Sequence, residues 1–369
     1  MNKPRIIISG GGTGGHIFPA LSIANSIKEI RPEAEILFVG AIGKMEMERV
    51  PAAGYQIIGL PVAGLRRSLS PKNLALPFKL AGSIRKAGRI IRDFKPDVAV
   101  GVGGYASAPL LWSASRKGIP CLIQEQNSYA GLTNRILSKR ARCICTAYEG
   151  MERFFPAERI LLTGNPIRKE IAPPTAQQRA EGCRFYGLDP GKKTLFVVGG
   201  SLGSGTLNRV MRDWVEHRAA SARYQVIWQC GKHYKAGVDQ FMAGRKLPNL
   251  CYTDFIKRMD LAYAAADLLV SRAGAGTISE LCVSGKATIF VPSPNVAEDH
   301  QTHNAMALVK KNAALMVRDA DAGTDLLDTV EGLLTDEARL ADLENNILKL
   351  GRKDASEVIA REVLKLIRR

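Results

Sequence analysis

RIIISGGGTGGH (Arg5–His16) and TLFVVGGSLGSG (Thr194–Gly205) follow one plan: a short apolar strand, a glycine-rich turn and the opening of a helix. The opening β–glycine–α unit thus recurs halfway along the chain. Around it, short β-rich apolar runs alternate with segments of helical period. The first half has such runs at Arg5–Ser9, Glu35–Val39, Asp97–Val100, Cys121–Gln124 and Cys143–Thr146. The second has them at Thr194–Val198, Gln225–Gln229, Leu268–Val270, Thr288–Val291 and Ala314–Val317. Continuous apolar strands separated by helices predict parallel sheets covered on both faces. Ala20, Ile23, Ala24 and Ile27 repeat at i, i+3, i+4, i+7 and place the first helix. GNPIRKEIAPPTAQQR (Gly164–Arg179), rich in proline and polar residues, has the composition of an interdomain linker. The expected architecture is α/β, with two Rossmann-like, doubly wound domains facing each other across a cleft, residues 1–165 and 166–355.

The chain has 369 residues, 46% hydrophobic and 24% charged, enough for two globular cores and unlike a disordered or fibrous protein. No apolar run approaches the roughly 20 residues that span a bilayer. The start, MNKPRIIISGGGTGGH, has only a short apolar stretch before the glycines, too short for a signal-peptide core, so a cytoplasmic location is expected. Seven cysteines, odd in number and without a C-x-x-C pair, suggest neither a disulfide framework nor a zinc site. The net charge of +17 favours a polyanionic partner: nucleic acid, an anionic membrane or a phosphorylated substrate. Against nucleic acid stand an aromatic content of 6% and the lack of any familiar nucleic-acid module.

Gly10–Gly15 matches G-x-G-x-x-G between a strand and a helix, a geometry that offers backbone N–H groups to an anion. A nicotinamide-binding fold would add an acid at the end of the second strand, but Phe38-Val39-Gly40 has none. No lysine follows in Walker fashion, which excludes a P-loop. GVGGYAS (Gly101–Ser107), GGSLGS (Gly199–Ser204) and SRAGAGT (Ser271–Thr277) are related turns. In the last, Thr277 and Glu280 fit a capping box, and Arg272 stands ready for a diphosphate. Any one turn is explained by tight strand-to-helix geometry alone. Several in one α/β chain indicate a ligand site at the strand ends.

The chain resembles one family through GGGTGGHIFPA (Gly10–Ala20), GVGGYASAP (Gly101–Pro109), EQNSYAGLTNR (Glu125–Arg135), GNPIR (Gly164–Arg168), GGSLGS and RAGAGTISE (Arg272–Glu280). They occur in the order typical of the MurG peptidoglycan N-acetylglucosaminyltransferases, and the likeness spans nearly the whole chain. The resemblance implies a GT-B fold, an inverting mechanism, and no metal or other cofactor. The implied reaction moves N-acetylglucosamine from UDP-N-acetylglucosamine to the C4 hydroxyl of the lipid-linked N-acetylmuramyl-pentapeptide acceptor, converting lipid I to lipid II. By motif position it implies Ser201 near the diphosphate and Ile256 against the uracil. Ala275, Gly276, Thr277, Ile278, Ser279 and Glu280 would lie along phosphates and ribose, with Glu280 on the ribose hydroxyls. Gln301 would hold the sugar, Thr13, Gly14, Gly15 and Asn127 would approach it, and Arg168 would lie on the hinge side. The C-terminal helix, 356–369, would pack back on the first domain. Gly203-Ser204 in place of Gly-Ala, and His300 before Gln301, depart from the family pattern without removing a functional group.

The transfer needs a base for the acceptor hydroxyl and stabilisation of the departing UDP. His16, which closes the first glycine loop, is the candidate base, with Glu125 its rival. Alternatively, His16 only shapes the loop and Glu125 pairs with an arginine. Helix N-termini and Arg272 would stabilise the leaving diphosphate. Asp319-Ala320-Asp321 matches the D-x-D string of metal-dependent enzymes, but in its polar setting it reads as a surface turn.

Gly64–Arg92 mixes Leu74, Leu76, Phe78 and Leu80 with Arg66, Arg67, Lys72, Lys79, Arg85 and Lys86. Trp112 with Arg116 and Lys117, and Lys139 with Arg140, repeat the pairing. Such a surface suits either an amphipathic core helix or contact with an anionic membrane. The lipid-linked acceptor favours the membrane, and a peripheral protein on the cytoplasmic face of the inner membrane. A UDP-sugar epimerase on the same fold is the alternative function.

Overall fold

A computed structural model describes residues 3–62 and 76–367. The chain forms two compact units, Met1–Ile167 with Arg352–Arg369, and Arg168–Gly351.

The first unit is built on β1 (Arg5–Ser9), β2 (Glu35–Ala41), β3 (Gln56–Leu60), β4 (Val98–Gly101), β5 (Cys121–Glu125), β6 (Cys143–Thr146) and β7 (Ile160–Leu162). Its helices are α1 (Gly14–Ile30), α2 (Glu46–Ala52), α3 (Leu76–Phe94), α4 (Ser107–Arg116) and α5 (Leu132–Ser138). The second unit contains β8 (Thr194–Val198), β9 (Gln225–Gln229), β10 (Leu250–Thr253), β11 (Leu268–Ser271), β12 (Thr288–Phe290) and β13 (Leu315–Met316). Around them lie α6 (Ala176–Phe185), α7 (Gly205–His217), α8 (Lys235–Met242), α9 (Met259–Ala265), α10 (Ala275–Ser284), α11 (His300–Val309), α12 (Ala322–Thr335) and α13 (Glu337–Leu348). The last helix, α14 (Ala355–Lys365), belongs to the first unit.

The strand orders are β3-β2-β1-β4-β5-β6-β7 and β10-β9-β8-β11-β12-β13, with parallel pairing throughout. Alternate residues of β1 feed opposite faces of the first sheet. Ile6 and Ile8 join Ala20, Ile23, Ala24 and Ile27 of α1 and Ile359, Ala360 and Val363 of α14. Ile7 packs on the other face with Ile90 and Ile91 of α3 and Leu110 and Leu111 of α4. In the second unit Leu195, Val197, Val226, Trp228, Leu268 and Val270 pack with Trp214 of α7 and Val330 of α12. Phe196, on the opposite face of that sheet, is buried beside Tyr263 of α9, so both sheets are covered on both faces, as their uninterrupted apolar strands require.

β3, β7 and β10 were not among the strands expected from apolar runs. All three are edge strands: β3 and β10 carry the polar residues Gln56 and Thr253, and β7 is apolar but only three residues long. The order of each sheet reverses at one place, between β1 and β4 in the first and between β8 and β11 in the second. In the register, Ser9 faces Gly101 and Val198 faces Ser271, so each glycine-rich turn leaves the carboxyl end of a strand at a reversal point. There, helices diverge to opposite faces and leave a crevice.

Candidate active site

In the second unit, the turns after β8 and β11 enclose a cavity of about 420 Å³. Ser201, Gly203, Tyr234, Arg272, Thr277 and Gln301 are among its lining residues. Gly203 has φ +84°, and a Cβ there would lie 2.2 Å from the Cys230 carbonyl oxygen, so the turn admits only glycine. Ser204 caps α7, its Oγ accepting the Leu207 N–H at 3.3 Å. The departure from Gly-Ala to Gly-Ser thus adds a helix cap.

At the second turn α10 starts on Gly274, whose carbonyl accepts the Ile278 N–H at 2.9 Å. The N–H groups of Ala275, Gly276 and Thr277 consequently have no acceptor within the helix, the arrangement that favours an anion. No side-chain cap forms here. The expected Thr277–Glu280 capping box is absent because Glu280 turns inward instead. Its carboxylate accepts from Arg168 Nε and Nη2, both at 2.7 Å, and from the Tyr263 hydroxyl at 3.0 Å. Burial, with Glu280 beside it, holds the Tyr263 hydroxyl well above its usual range, so it stays a donor. Ile278 is buried beneath the turn, and the Ser279 hydroxyl donates to the Ala275 carbonyl at 3.0 Å.

Arg272, at the cavity wall, is anchored by an ion pair and further hydrogen bonds. Its guanidinium donates to Asp319 Oδ1 at 2.5 Å, Ser204 Oγ at 2.6 Å and the Val291 carbonyl at 2.9 Å. Asp319 also accepts from Thr206 Oγ1 at 3.0 Å. Asp319 lies in the expected turn, half-buried, where its negative charge neutralises Arg272, and the pair ties both glycine-rich turns together. Asp321 pairs with exposed Arg318 instead. Gln229, which no motif marked, links two further parts of the site. It donates to the Gly200 carbonyl at 2.8 Å and accepts the N–H of buried Ile256 at 3.1 Å. Gln301 Oε1 accepts the Ser293 N–H at 2.8 Å, which orients its side chain at the cavity wall.

In the first unit, the turns after β1 and β4 are joined by the Val102 N–H, which donates to the Ser9 carbonyl at 2.7 Å. Thr13 precedes α1, and Gly14 and Gly15 form its first residues. His16 Nδ1 lies 3.0 Å from the Gly11 carbonyl oxygen and 3.3 Å from Thr13 Oγ1. The ring rests against Gly103, where a Cβ would come within 2.6 Å of His16 Cδ2. Below the loop, and unmarked by any motif, the buried Glu46 accepts the N–H of Gly12 and that of Ala41, each at 2.9 Å.

Glu125, at the end of β5, is buried, and its partners are amides where an arginine was considered. It accepts the N–H of Asn127 at 3.0 Å, that of Gly131 at 3.1 Å and Asn134 Nδ2 at 2.9 Å. Burial pushes its pKa up despite these donors. Gln126 ties this loop to the neighbouring turn by donating to the Val102 carbonyl at 2.8 Å.

Residues 6–146 match the glycosyltransferase family 28 N-terminal domain, and residues 194–359 match its C-terminal domain. A relative from Parabacteroides distasonis is the UDP-N-acetylglucosamine--N-acetylmuramyl-(pentapeptide) pyrophosphoryl-undecaprenol N-acetylglucosamine transferase. It is 55% identical over 368 residues, covering 100% of this chain and 99% of its own. The crystal structure of Acinetobacter baumannii MurG matches with a TM-score of 0.81 at 26% identity, covering 99% of this chain and 100% of that one. The chain belongs to the MurG family.

Membership of the MurG family makes the chain a hexosyltransferase, with the two parallel-sheet α/β units of the GT-B fold. The fold is shared more widely. A Neisseria meningitidis UDP-GlcNAc 2-epimerase matches with a TM-score of 0.66 at 12% identity, covering 99% of this chain and 100% of that chain. At that identity the likeness speaks for architecture alone, so the epimerase alternative gains no support beyond the fold.

Proposed function

We propose that this chain transfers N-acetylglucosamine from UDP-N-acetylglucosamine to the C4 hydroxyl of the lipid-linked N-acetylmuramyl-pentapeptide, forming lipid II from lipid I. The observation that carries this is the 55% identity to a transferase of that name along the full chain. In the second unit, the N–H groups at the start of α10 and the Ser201 turn receive the diphosphate. Fixed dipoles of this kind stabilise the charge that develops on departing UDP without a metal. Ile256 packs on the uracil, Glu280 accepts from the ribose hydroxyls, Arg168 orients Glu280, and Gln301 holds the sugar. In the first unit, Thr13, Gly14, Gly15 and Asn127 serve the transferred sugar. His16 is the base that takes the acceptor proton as C1 inverts. With four N–H donors on its carboxylate, the Asn127 side-chain amide at 3.4 Å being the fourth, Glu125 is better suited to shape the Asn127 loop than to exchange protons.

The protein works at the cytoplasmic face of the inner membrane, as a peripheral protein. No helix among the described residues is long and apolar enough to cross a bilayer. Support for membrane contact comes from α5, where exposed Leu132 and Ile136 sit among exposed Arg135, Lys139 and Arg140. Leu80 and Arg85 are exposed on α3, whereas Trp112 is half-buried under the Arg140 guanidinium, 4.3 Å from its ring centroid. Arg66, Arg67, Lys72 and Leu74, with the side chains of Leu76, Phe78 and Lys79, lie outside the described residues.

Transfer of labelled N-acetylglucosamine to a lipid I analogue, with and without EDTA, tests the reaction. Chelator-insensitive product is expected. Donor binding without product would return the epimerase. Co-sedimentation with anionic liposomes, weakened by salt, tests the surface.

A further inference from the structure

The peptide joining Gly11 to Gly12 is held at both ends. Its N–H donates to Glu46 Oε2 at 2.9 Å, and its carbonyl oxygen faces His16 Nδ1 at 3.0 Å. A carbonyl oxygen only accepts, so Nδ1 carries the proton and Nε2 carries the ring's lone pair. The second oxygen of Glu46 is fixed by the Ala41 N–H at 2.9 Å, where β2 ends. Glu46 is fully buried. Glycines make room for it: a Cβ on Gly11 would lie 2.1 Å from Glu46 Oε1, and one on Gly40 would lie 2.5 Å from Cγ. Carboxylate, peptide and imidazole therefore form one fixed chain.

We propose that Glu46 is a positioning residue for sugar transfer. Its buried carboxylate sets the plane of the Gly11–Gly12 peptide, and that peptide holds His16 in the Nδ1–H tautomer. This rests on His16 acting as the base. During transfer the acceptor oxygen bonds to C1 of the sugar as the bond from C1 to the UDP oxygen breaks, its electron pair leaving with UDP. The acceptor proton passes to His16 Nε2, while Nδ1–H stays on the Gly11 carbonyl. Glu46 takes no part in the proton transfer; its two oxygens keep the Gly12 and Ala41 N–H groups. A carboxylate that orients a base's other nitrogen is a familiar device for fixing a tautomer, and here one peptide is interposed.

Glu46→Gln in the full-length enzyme tests this. One amide oxygen accepts one of the two N–H groups, but the amide NH₂ then faces the other donor. The expected result is a kcat lower by about 10–100-fold, with donor KM within about two-fold of wild type. Added to His16→Ala, the substitution causes no further loss. In ¹⁵N NMR of the wild-type enzyme, with His16→Gln for assignment, neutral His16 carries its proton on Nδ1; Glu46→Gln moves it toward Nε2. Loss additive with His16→Ala, or a rise in donor KM matching the loss in kcat, overturns the proposal and makes Glu46 a strut of the loop. A wild-type His16 protonated on Nε2 also overturns it, and that spectrum decides even if Glu46→Gln does not fold. Near-normal turnover in His16→Ala defeats the base assignment instead, and the tautomer measurement still judges the relay.

Discussion

The two units place the same device, a pair of glycine-rich turns at a reversal of strand order, over opposite electrostatics. In the first, the buried carboxylate of Glu46 takes the Gly12 N–H from within. In the second, Arg272 braces the turn from below, and Asp319 neutralises it. A phosphate arriving at the first turn would meet a carboxylate beside a donor already engaged. One arriving at the second would meet the N–H groups of a helix start over a neutral pair. Backbone geometry makes both turns possible; a charged side chain at each, buried Glu46 in one and half-buried Arg272 in the other, sets its electrostatics.

Changes in the second unit should separate these contributions. Gly203→Ala forces a Cβ against the Cys230 carbonyl at a backbone angle that alanine resists. It should collapse the turn, abolish measurable UDP binding by calorimetry and lower stability by about 3 kcal/mol or more. Arg272→Met leaves Asp319 without its cation, a cost of about 2–3 kcal/mol after discounting for the pair's partial exposure. Adding Asp319→Leu should recover much of that stability in denaturant melts. If it does not, Arg272 acts mainly through Ser204. Ser204→Ala removes a cap and one Arg272 contact, and should cost about 1 kcal/mol with donor KM rising a few-fold.

The smallest effect concerns the other buried carboxylate of the first unit. Burial raises Glu125 above its usual 4.5, so the folded chain holds that proton to higher pH than the unfolded one. The stabilisation is complete below pH 4.5 and fades as pH rises through the folded value. The stability of wild type relative to Glu125→Gln should therefore fall across that window. A gap that widens with pH would mean that the donors outweigh burial.

Much of this organisation could be read from residues alone. Strands buried on both faces must be apolar throughout, so β1, β4, β8 and β11 declared themselves, and the glycines following them marked the turns. Edge strands β3, β7 and β10 stayed hidden because β3 and β10 are of mixed composition and β7 is only three residues long. Glu46 gave no signal either: Met-Glu-Met-Glu-Arg looks like the exposed start of a helix. Thr277 and Glu280 satisfied a local capping rule, yet distant Arg168 and Tyr263 take the carboxylate.

What the residues determined by themselves was everything local: apolar period, turn chemistry, and the order of motifs that places the chain in its family. Tertiary structure decided which charges meet. Glu46 lies under Gly12 because β2 runs beside β1 and α2 begins just beyond it. Asp319 finds Arg272 because β11 and β13 flank β12 in parallel, so the turns that follow them leave the same edge of the sheet. Hydrogen bonds and ion pairs act over a few ångströms, and only the fold sets which residues come that close.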